Sequence, residues 1–337
     1  MNEIHDSKRL GELQALPLQR KIGFTAARIT EWYNHYEGKV CVSFSGGKDS
    51  TVLLHIARKL YPDIKAVYCD TGLEYPEIKE FVKTFDNVDI VRPKMSFKQV
   101  IEKEGYPVIS KEVSEFIAQK KTGMPCMERR WAYCRERERE SNGLREGKDP
   151  FWYGLLRKWY KLEDAPFKIS HKCCEIMKKT PINEYNRRNK LYPMIGTLAA
   201  ESRLRMLSWY KNGCNAFDSA HPHSTPLAFW TTQDILEYLS LMQIPIASVY
   251  GEIVRDYDGK LKTTGQERTG CMFCLFGIHR EKSPNRIQRI AKTHPMIYNY
   301  ILDKLGFRAV MDYLKIPYAP CMEQGELSFE DKEDNQK

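Results

Sequence analysis

Long apolar runs are missing from this chain of 337 residues. No stretch approaches the ~18 uninterrupted apolar residues of a membrane span, so no membrane-embedded role is expected. A basic start followed by an apolar segment is also missing: Met1-Asn2-Glu3-Ile4-His5-Asp6 reads as no secretory signal, and a cytoplasmic location is expected. No internal repeat is visible. Polar low-complexity bias is missing too, since 42% hydrophobic and 12% aromatic residues exclude a disordered chain. The length suits one large domain or a core with a smaller addition. Neither charge sign is scarce; 53 Lys and Arg against 44 Asp and Glu leave a net charge of +9. That surplus suits anionic partners, nucleotide or nucleic acid, and suits an ordinary solvated surface equally. Ten cysteines are present. In a cytosolic chain, where disulfides are rarely kept, they point to metal or redox chemistry.

Residues 1–37 read as an N-terminal amphipathic helical segment, with Leu10, Leu13, Leu16, Leu18 and Ile22 among charges. From Gly38 the pattern becomes strand, turn, helix. Residues 39–44, 64–69 and 88–91 are β-rich, and residues 50–60, 77–85, 97–104 and 110–120 have helical spacing. This alternation predicts an α/β fold, a doubly wound and mostly parallel sheet, with a core over 38–120. Ligands of such sheets sit beyond the carboxyl ends of the strands. Residues 121–168 break the rhythm with Arg129-Arg130-Trp131, Arg135, Arg137, Arg139, Trp152 and Arg157-Lys158-Trp159-Tyr160, and are read as a mostly helical, basic aromatic insertion. Such a composition suits phosphate contacts and base stacking, and suits an amphipathic surface helix pair as well. Residues 169–322 are expected to complete the core, mostly as helices at 199–210, 231–241, 284–292, 298–305 and 308–314. Residues 323–337 read as a disordered acidic tail.

Ser45-Gly46-Gly47-Lys48-Asp49-Ser50 lies between a strand and a helix, where a phosphate cradle has to be. Glycines let backbone N–H groups approach an anion, and the helix start supplies unpaired donors. Lys48 adds a full charge, Ser45 and Ser50 add hydroxyls, and Asp49 can help hold Mg²⁺. The string lacks the spacing of the Walker loop. An ordinary glycine turn capping a helix is the other reading.

Two cysteine pairs, Cys173-Cys174 and Cys271-Met272-Phe273-Cys274, offer four thiols, which suit an iron–sulfur cluster or a tetrahedral zinc site. Adjacent cysteines diverge and serve one zinc ion poorly, whereas a cluster offers separate irons; four buried small hydrophobes are the third reading. Cys41 and Cys69 fall in predicted strands and are expected to be buried. Cys126 and Cys134 have no standard ligand spacing and read as solvent-facing or core.

The loop, with Thr51-Val52-Leu53-Leu54-His55 behind it, resembles the PP-loop of the adenine nucleotide α-hydrolase-like superfamily. Tyr68-Cys69-Asp70-Thr71-Gly72, Glu74 and Glu77 resemble the second-strand segment of its PAPS reductase branch. The resemblance implies the HUP-type fold and ATP, APS or PAPS as bound nucleotide. Ser43, Ser45, Gly46, Gly47, Lys48, Asp49, Ser50, Asp70, Thr71, Gly72 and Arg203 are then nucleotide-binding residues, Lys48 and Asp49 being catalytic. Arg203 comes from Glu201-Ser202-Arg203 and Arg205, a stretch that together with Gly196-Thr197 is similar to the family's substrate-contacting segment; Pro226-Leu227 with Trp230-Thr231 also resembles the family. His171-Lys172-Cys173-Cys174, Lys178 and Gly270-Cys271-x-x-Cys274 are similar to the ligand pattern of assimilatory APS reductases. This implies a [4Fe–4S] cluster on Cys173, Cys174, Cys271 and Cys274.

True reductases of the branch have an altered loop and a catalytic cysteine in a Glu-Cys-Gly-Leu-His-like motif. This chain keeps the full loop, and its Cys321 lacks both the acidic residue before it and the histidine after it. These departures favour ATP cleavage between the α- and β-phosphates, adenylation of a substrate, and sulfur transfer with help of the cluster. The same logic operates in tRNA thiolases and in the DNA phosphorothioation sulfurtransferase, which the arrangement also resembles. The implied partners are a nucleic-acid acceptor and a sulfur donor such as a cysteine desulfurase. The alternatives are an APS or PAPS reductase using Cys321, and a non-catalytic nucleotide- and cluster-binding sensor or defence-complex subunit.

Overall fold

A computed structural model describes residues 5–139 and 149–320. Cys321 and the predicted acidic tail lie outside the described residues. The chain divides into two compact units, Met1–Glu104 with Lys172–Cys271, and Gly105–His171 with Met272–Lys337.

The first unit is built on a six-stranded sheet. Its β1 (Val40–Ser43), β2 (Lys65–Cys69) and β3 (Val88–Val91) follow one another outward, all parallel. The chain then returns to the other side of β1, where Tyr192–Ile195 pairs parallel with it, followed by His223–Ser224 and an antiparallel edge at Asn215–Ala216. The order therefore reverses direction beside β1, which creates a crevice at the carboxyl end of that strand. The α/β fold expected from the alternation is present.

Tyr192–Ile195 was read as part of a mainly helical stretch, and the structure corrects this. The strand is short and carries Pro193, a residue with no ladder N–H that argues against a central strand. Here Pro193 stands opposite Cys41 in the register, and the strand's other neighbour pairs with it at Met194. The antiparallel pair Ile253–Arg255 with Leu261–Thr263 lies between the expected helices, in a stretch given no element from sequence.

Helix Leu18–His35 buries Leu18, Lys21, Thr25, Ile29 and Trp32 along one stripe. Its two polar members are satisfied in place. Thr25 accepts from Trp230 Nε1 at 2.9 Å and donates to the Pro226 carbonyl at 3.2 Å. Lys21 donates to Asp234 Oδ2 at 2.6 Å, and the same carboxylate accepts from Thr231 N at 2.6 Å in the capping box of helix Thr232–Leu241. Helix Lys48–Leu60 lies against both of these helices, and eight of its residues are buried.

In the second unit Val108–Ile109 pairs parallel with Leu275–Phe276. Helices Lys111–Lys121, Pro125–Arg139, Phe151–Leu156, Arg286–Thr293 and Phe307–Tyr313 accompany this pair. The described part of the basic insertion is mostly helical, as expected. Its Trp131 is fully buried and donates to the Tyr160 carbonyl at 3.1 Å. Several of its arginines serve the fold: Arg135 pairs with Glu163 at 2.8 Å, and Arg137 with Asp149 at 3.2 Å.

Removing one partner of a buried ion pair strands the other. Lys21→Ala should therefore lower the unfolding free energy by about 3–5 kcal/mol, while Lys21→Met with Asp234→Asn should recover most of that loss. Urea denaturation of the three proteins checks both expectations.

Candidate functional site

The loop after β1 has its shape fixed by what its glycines lack. Gly46 sits at φ +69°, where a Cβ would meet Ile78 Cγ2 and Val82 Cγ2 at 2.8 Å. Gly196, just past Tyr192–Ile195, faces the loop, and a Cβ there would stand 2.9 Å from the Asp49 carbonyl oxygen. Gly47 then caps helix Lys48–Leu60 without a side chain. The first amides of this helix have no partner within the helix and carry the positive end of its dipole. Hydroxyls hold the turn from inside. Ser50 Oγ donates to the Gly47 carbonyl at 3.0 Å and accepts from Ser45 N at 3.2 Å, while Ser45 Oγ lies 3.0 Å from Ser50 Oγ.

Lys48 is buried, with Nζ donating to the Glu267 carbonyl at 2.9 Å and standing 4.7 Å from the centre of the Tyr250 ring. Burial pushes its pKa down, although Asp49 and Glu267 pull the other way. Burial pushes the Asp49 carboxyl up, opposed by Lys48, Arg205 and Arg268. Arg205 and Arg268 both pair with Glu201. Arg203 is exposed at the first position of helix Arg203–Asn212, and it is Arg205, two residues on, that is coupled to Asp49. Tyr250, Glu267 and Arg268 were not singled out in the sequence. They reach the loop through a turn in which Gly265 N donates to the Tyr250 carbonyl at 2.8 Å, a contact with no local sequence signal.

A second polar group stands at the carboxyl end of β2. Asp70 is buried and takes Lys79 Nζ at 2.8 Å and Arg92 Nε at 3.2 Å. Burial alone would raise its pKa; the hydrogen bonds and charges of Lys79 and Arg92 hold it below the ordinary value. Thr71 Oγ1 donates to Glu74 at 2.8 Å, and Gly72 has φ +71°. Ser43 closes β1 opposite Val67 and Ile195. Glu74 also pairs with Lys178 Nζ at 3.0 Å. The buried Tyr68 hydroxyl, close enough to Glu74 and Asp70 to feel their charges, has no hydrogen-bond partner among the described residues.

The phosphoadenosine phosphosulfate reductase domain model matches residues 39–124 and 148–275, more than half of the chain. The chain belongs to that family. Among curated relatives, an uncharacterized protein of Methanocaldococcus jannaschii is 24% identical over 285 residues, 82% of this chain and 51% of the relative. The chain thus spans about half that relative's length. The adenosine 5'-phosphosulfate reductase of Bacillus cereus is 30% identical over 80 residues, 23% of this chain and 32% of that one. A solved phosphoadenylyl-sulfate reductase of Candida auris aligns over 76% of this chain and 97% of its own at 11% identity, with a TM-score of 0.37. The FMN adenylyltransferase of Candida glabrata aligns at 12% identity over 73% of this chain and 68% of its own, with the same TM-score of 0.37.

In the first unit Cys173 and Cys174 hold their sulfurs 4.0 Å apart. Cys271 interacts with Lys178, whose pKa is lowered by burial but raised on balance by Cys271 and Glu74. In the second unit the Cys274 carbonyl accepts from Arg286 at 3.2 Å. Their soft donor chemistry fits iron. Among the described residues, however, no three Cys, His, Asp or Glu groups are gathered as a metal site. Cys41 and Cys69 are buried, as expected for strand positions, and burial pushes both thiols up to about 12, far from thiolate reactivity. Cys126 is exposed and Cys134 buried. No described helix is long and apolar enough to cross a membrane.

Gly46→Ala should distort the loop, since a Cβ can neither take that φ without strain nor fit beside Ile78 and Val82; thermal unfolding should show a loss of about 1–3 kcal/mol. Asp70 yields a pH test. Its carboxyl is depressed in the fold, so its contribution is present above the unfolded pKa of about 3.9 and lost as pH falls through the lower folded value. Acid unfolding of the wild type should therefore be steeper below about pH 4 than that of Asp70→Asn.

Proposed function

We propose that this chain binds ATP on the Ser45–Ser50 turn, cleaves it between the α- and β-phosphates, and adenylates a substrate oxygen to prepare it for sulfur transfer. The observation that carries this reading is the complete loop at the sheet's reversal point, with the buried Lys48 at the helix start. Backbone amides of the loop and first helical turn would take the phosphate oxygens. Lys48 would turn from the Glu267 carbonyl toward the departing pyrophosphate, where its charge counters the charge that develops. Asp49 is the residue that would hold Mg²⁺, whose chemistry is to neutralise phosphate oxygens. Arg205 and Arg268, already coupled to Asp49, would steady the AMP phosphate. The adenylated oxygen would then leave with AMP as the outer sulfur of a persulfide on a donor such as a cysteine desulfurase takes its place, and a thiol reductant would split the resulting disulfide to free the thiolated product.

The cysteine pairs support a [4Fe–4S] cluster as a companion proposal, since they supply four thiols of soft donor chemistry. No step above depends on it. A second reading is favoured by the match to adenosine 5'-phosphosulfate reductases: reduction of APS or PAPS to sulfite.

Anaerobically purified protein incubated with ATP and Mg²⁺ should release AMP and pyrophosphate, and Lys48→Ala should slow this by at least about 100-fold. Iron analysis should find about four irons per chain, lost in Cys271→Ser. Intact ATP together with sulfite formed from APS or PAPS would reject adenylation and restore the reductase.

A further inference from the structure

Within the second unit lies an open cavity of about 510 Å³ that the nucleotide reading leaves unused. Its wall includes Ser110 and Val113 from the start of helix Lys111–Lys121, Arg157-Lys158-Trp159, and His279-Arg280. Three features set it apart. Arg157, Lys158 and Arg280 stand on it, all exposed, and its lining contains no carboxylate. Among the described residues none of the three closes an ion pair, unlike Arg135 and Arg137 in the same unit. Trp159 presents a half-buried indole, set edge-to-face on the His279 ring with centroids 5.2 Å apart.

The third feature is unsatisfied chemistry. His279 Nδ1 is buried and has no hydrogen-bond partner among the described residues. Burial, with Arg280 and Lys158 nearby, pushes its pKa down, so the imidazole is neutral and its ring nitrogen can accept or donate one hydrogen bond. Beside it Ile109, a β-branched residue, is held at φ +62° in the left-handed region, its carbonyl accepting from Gly277 N at 2.8 Å. Such strain persists where the surroundings fix it, and it gathers at ligand sites. Helix Lys111–Lys121 points its amino end at the same space, adding partial positive charge.

Cations without carboxylates ask for an anion, and a flat indole beside them asks for a ring. We propose that this cavity receives one nucleotide of a single-stranded nucleic acid, its base against Trp159 and its phosphodiester on Arg157, Lys158 and Arg280. The exposed position of the three cations, on the rim and not in an enclosed pocket, suits a backbone passing across better than the terminal phosphate of a free nucleotide. Sequence-independent strand binding uses this pairing of cationic groove and stacking ring. The site is independent of ATP turnover, and binding can be measured with no ATP present.

The test is fluorescence anisotropy of the full chain with labelled oligo(dT) and oligo(U) of about twenty nucleotides, over a salt series. Both should bind, with Trp159→Ala weakening affinity about tenfold and Trp159→Phe retaining it. Arg157→Ala with Lys158→Ala should make the logarithmic salt slope shallower by about 1.4, or 0.7 for each lost phosphate contact. Absence of binding at about 50 mM salt would overturn the proposal. So would unchanged affinity in variants whose thermal unfolding matches wild type. Displacement of the oligonucleotide by AMP at comparable concentration would replace the strand with a free nucleotide. None of these results bears on AMP release from ATP, so the two proposals fail separately.

Discussion

Everything in the first unit depends on how closely three backbones approach at one turn. The helix from Lys48 to Leu60 starts directly beyond the end of β1, and the strand from Tyr192 to Ile195 ends against its first turn. A Cβ on Gly196 would press on the Asp49 carbonyl, and one on Gly46 would strike Ile78 and Val82. The absent carbons let the helix amides open onto the crevice where strand order reverses. Without that contact the sheet could still pair, but the amide end of the helix would not face the crevice.

The charges around this turn are held in a condition that a ligand would relieve. Burial disfavours the charged forms of both Lys48 and Asp49, and the protein compensates only in part through their mutual attraction and through Arg205 and Arg268. A phosphate beside Lys48 would restore the preference for its ammonium, and a divalent cation beside Asp49 would do the same for its carboxylate. Binding of either would therefore raise the affinity for the other through the same field. The Asp70 carboxylate behaves differently. Lys79 and Arg92 already satisfy it, so it acts as a fixed buttress at the end of β2 while the Tyr68 hydroxyl nearby stays open.

What could be read from sequence followed the range of the forces involved. β1, β2 and β3, the helix after the loop and the loop itself are local patterns of a few residues, and each stands where the pattern put it. Tyr192–Ile195 escaped because Pro193 contradicts the propensity of a central strand, and tertiary pairing overrode it. Of the site, Lys48 and Asp49 were legible as part of a contiguous string. Tyr250, Glu267 and Arg268 were not, because a turn about two hundred residues downstream delivers them. Arg205 was visible only as a companion to Arg203, since helix geometry, which decides which of the two faces Asp49, is not encoded in composition.

The same reasoning explains why a basic composition was ambiguous and a basic cavity is not. In the segment from Arg129 to Lys161 the sequence shows only an abundance of cations and rings. The fold sorts them. Arg135 and Arg137 are neutralised by Glu163 and Asp149, and Arg130 packs over Phe116 and Trp152, so these positions serve the second unit's own stability. Arg157 and Lys158 instead meet Arg280, far away in sequence, around a cavity with no carboxylate in its wall. Like charges gathered around one cavity, with Asp149 acting on Arg157 alone, raise the energy of the folded chain. Placing Trp159 and an unpartnered imidazole nitrogen in the same wall adds a second unmet demand. Both are relieved by one kind of partner, a phosphate-bearing chain of planar rings, and an ordinary solvated surface would have required neither.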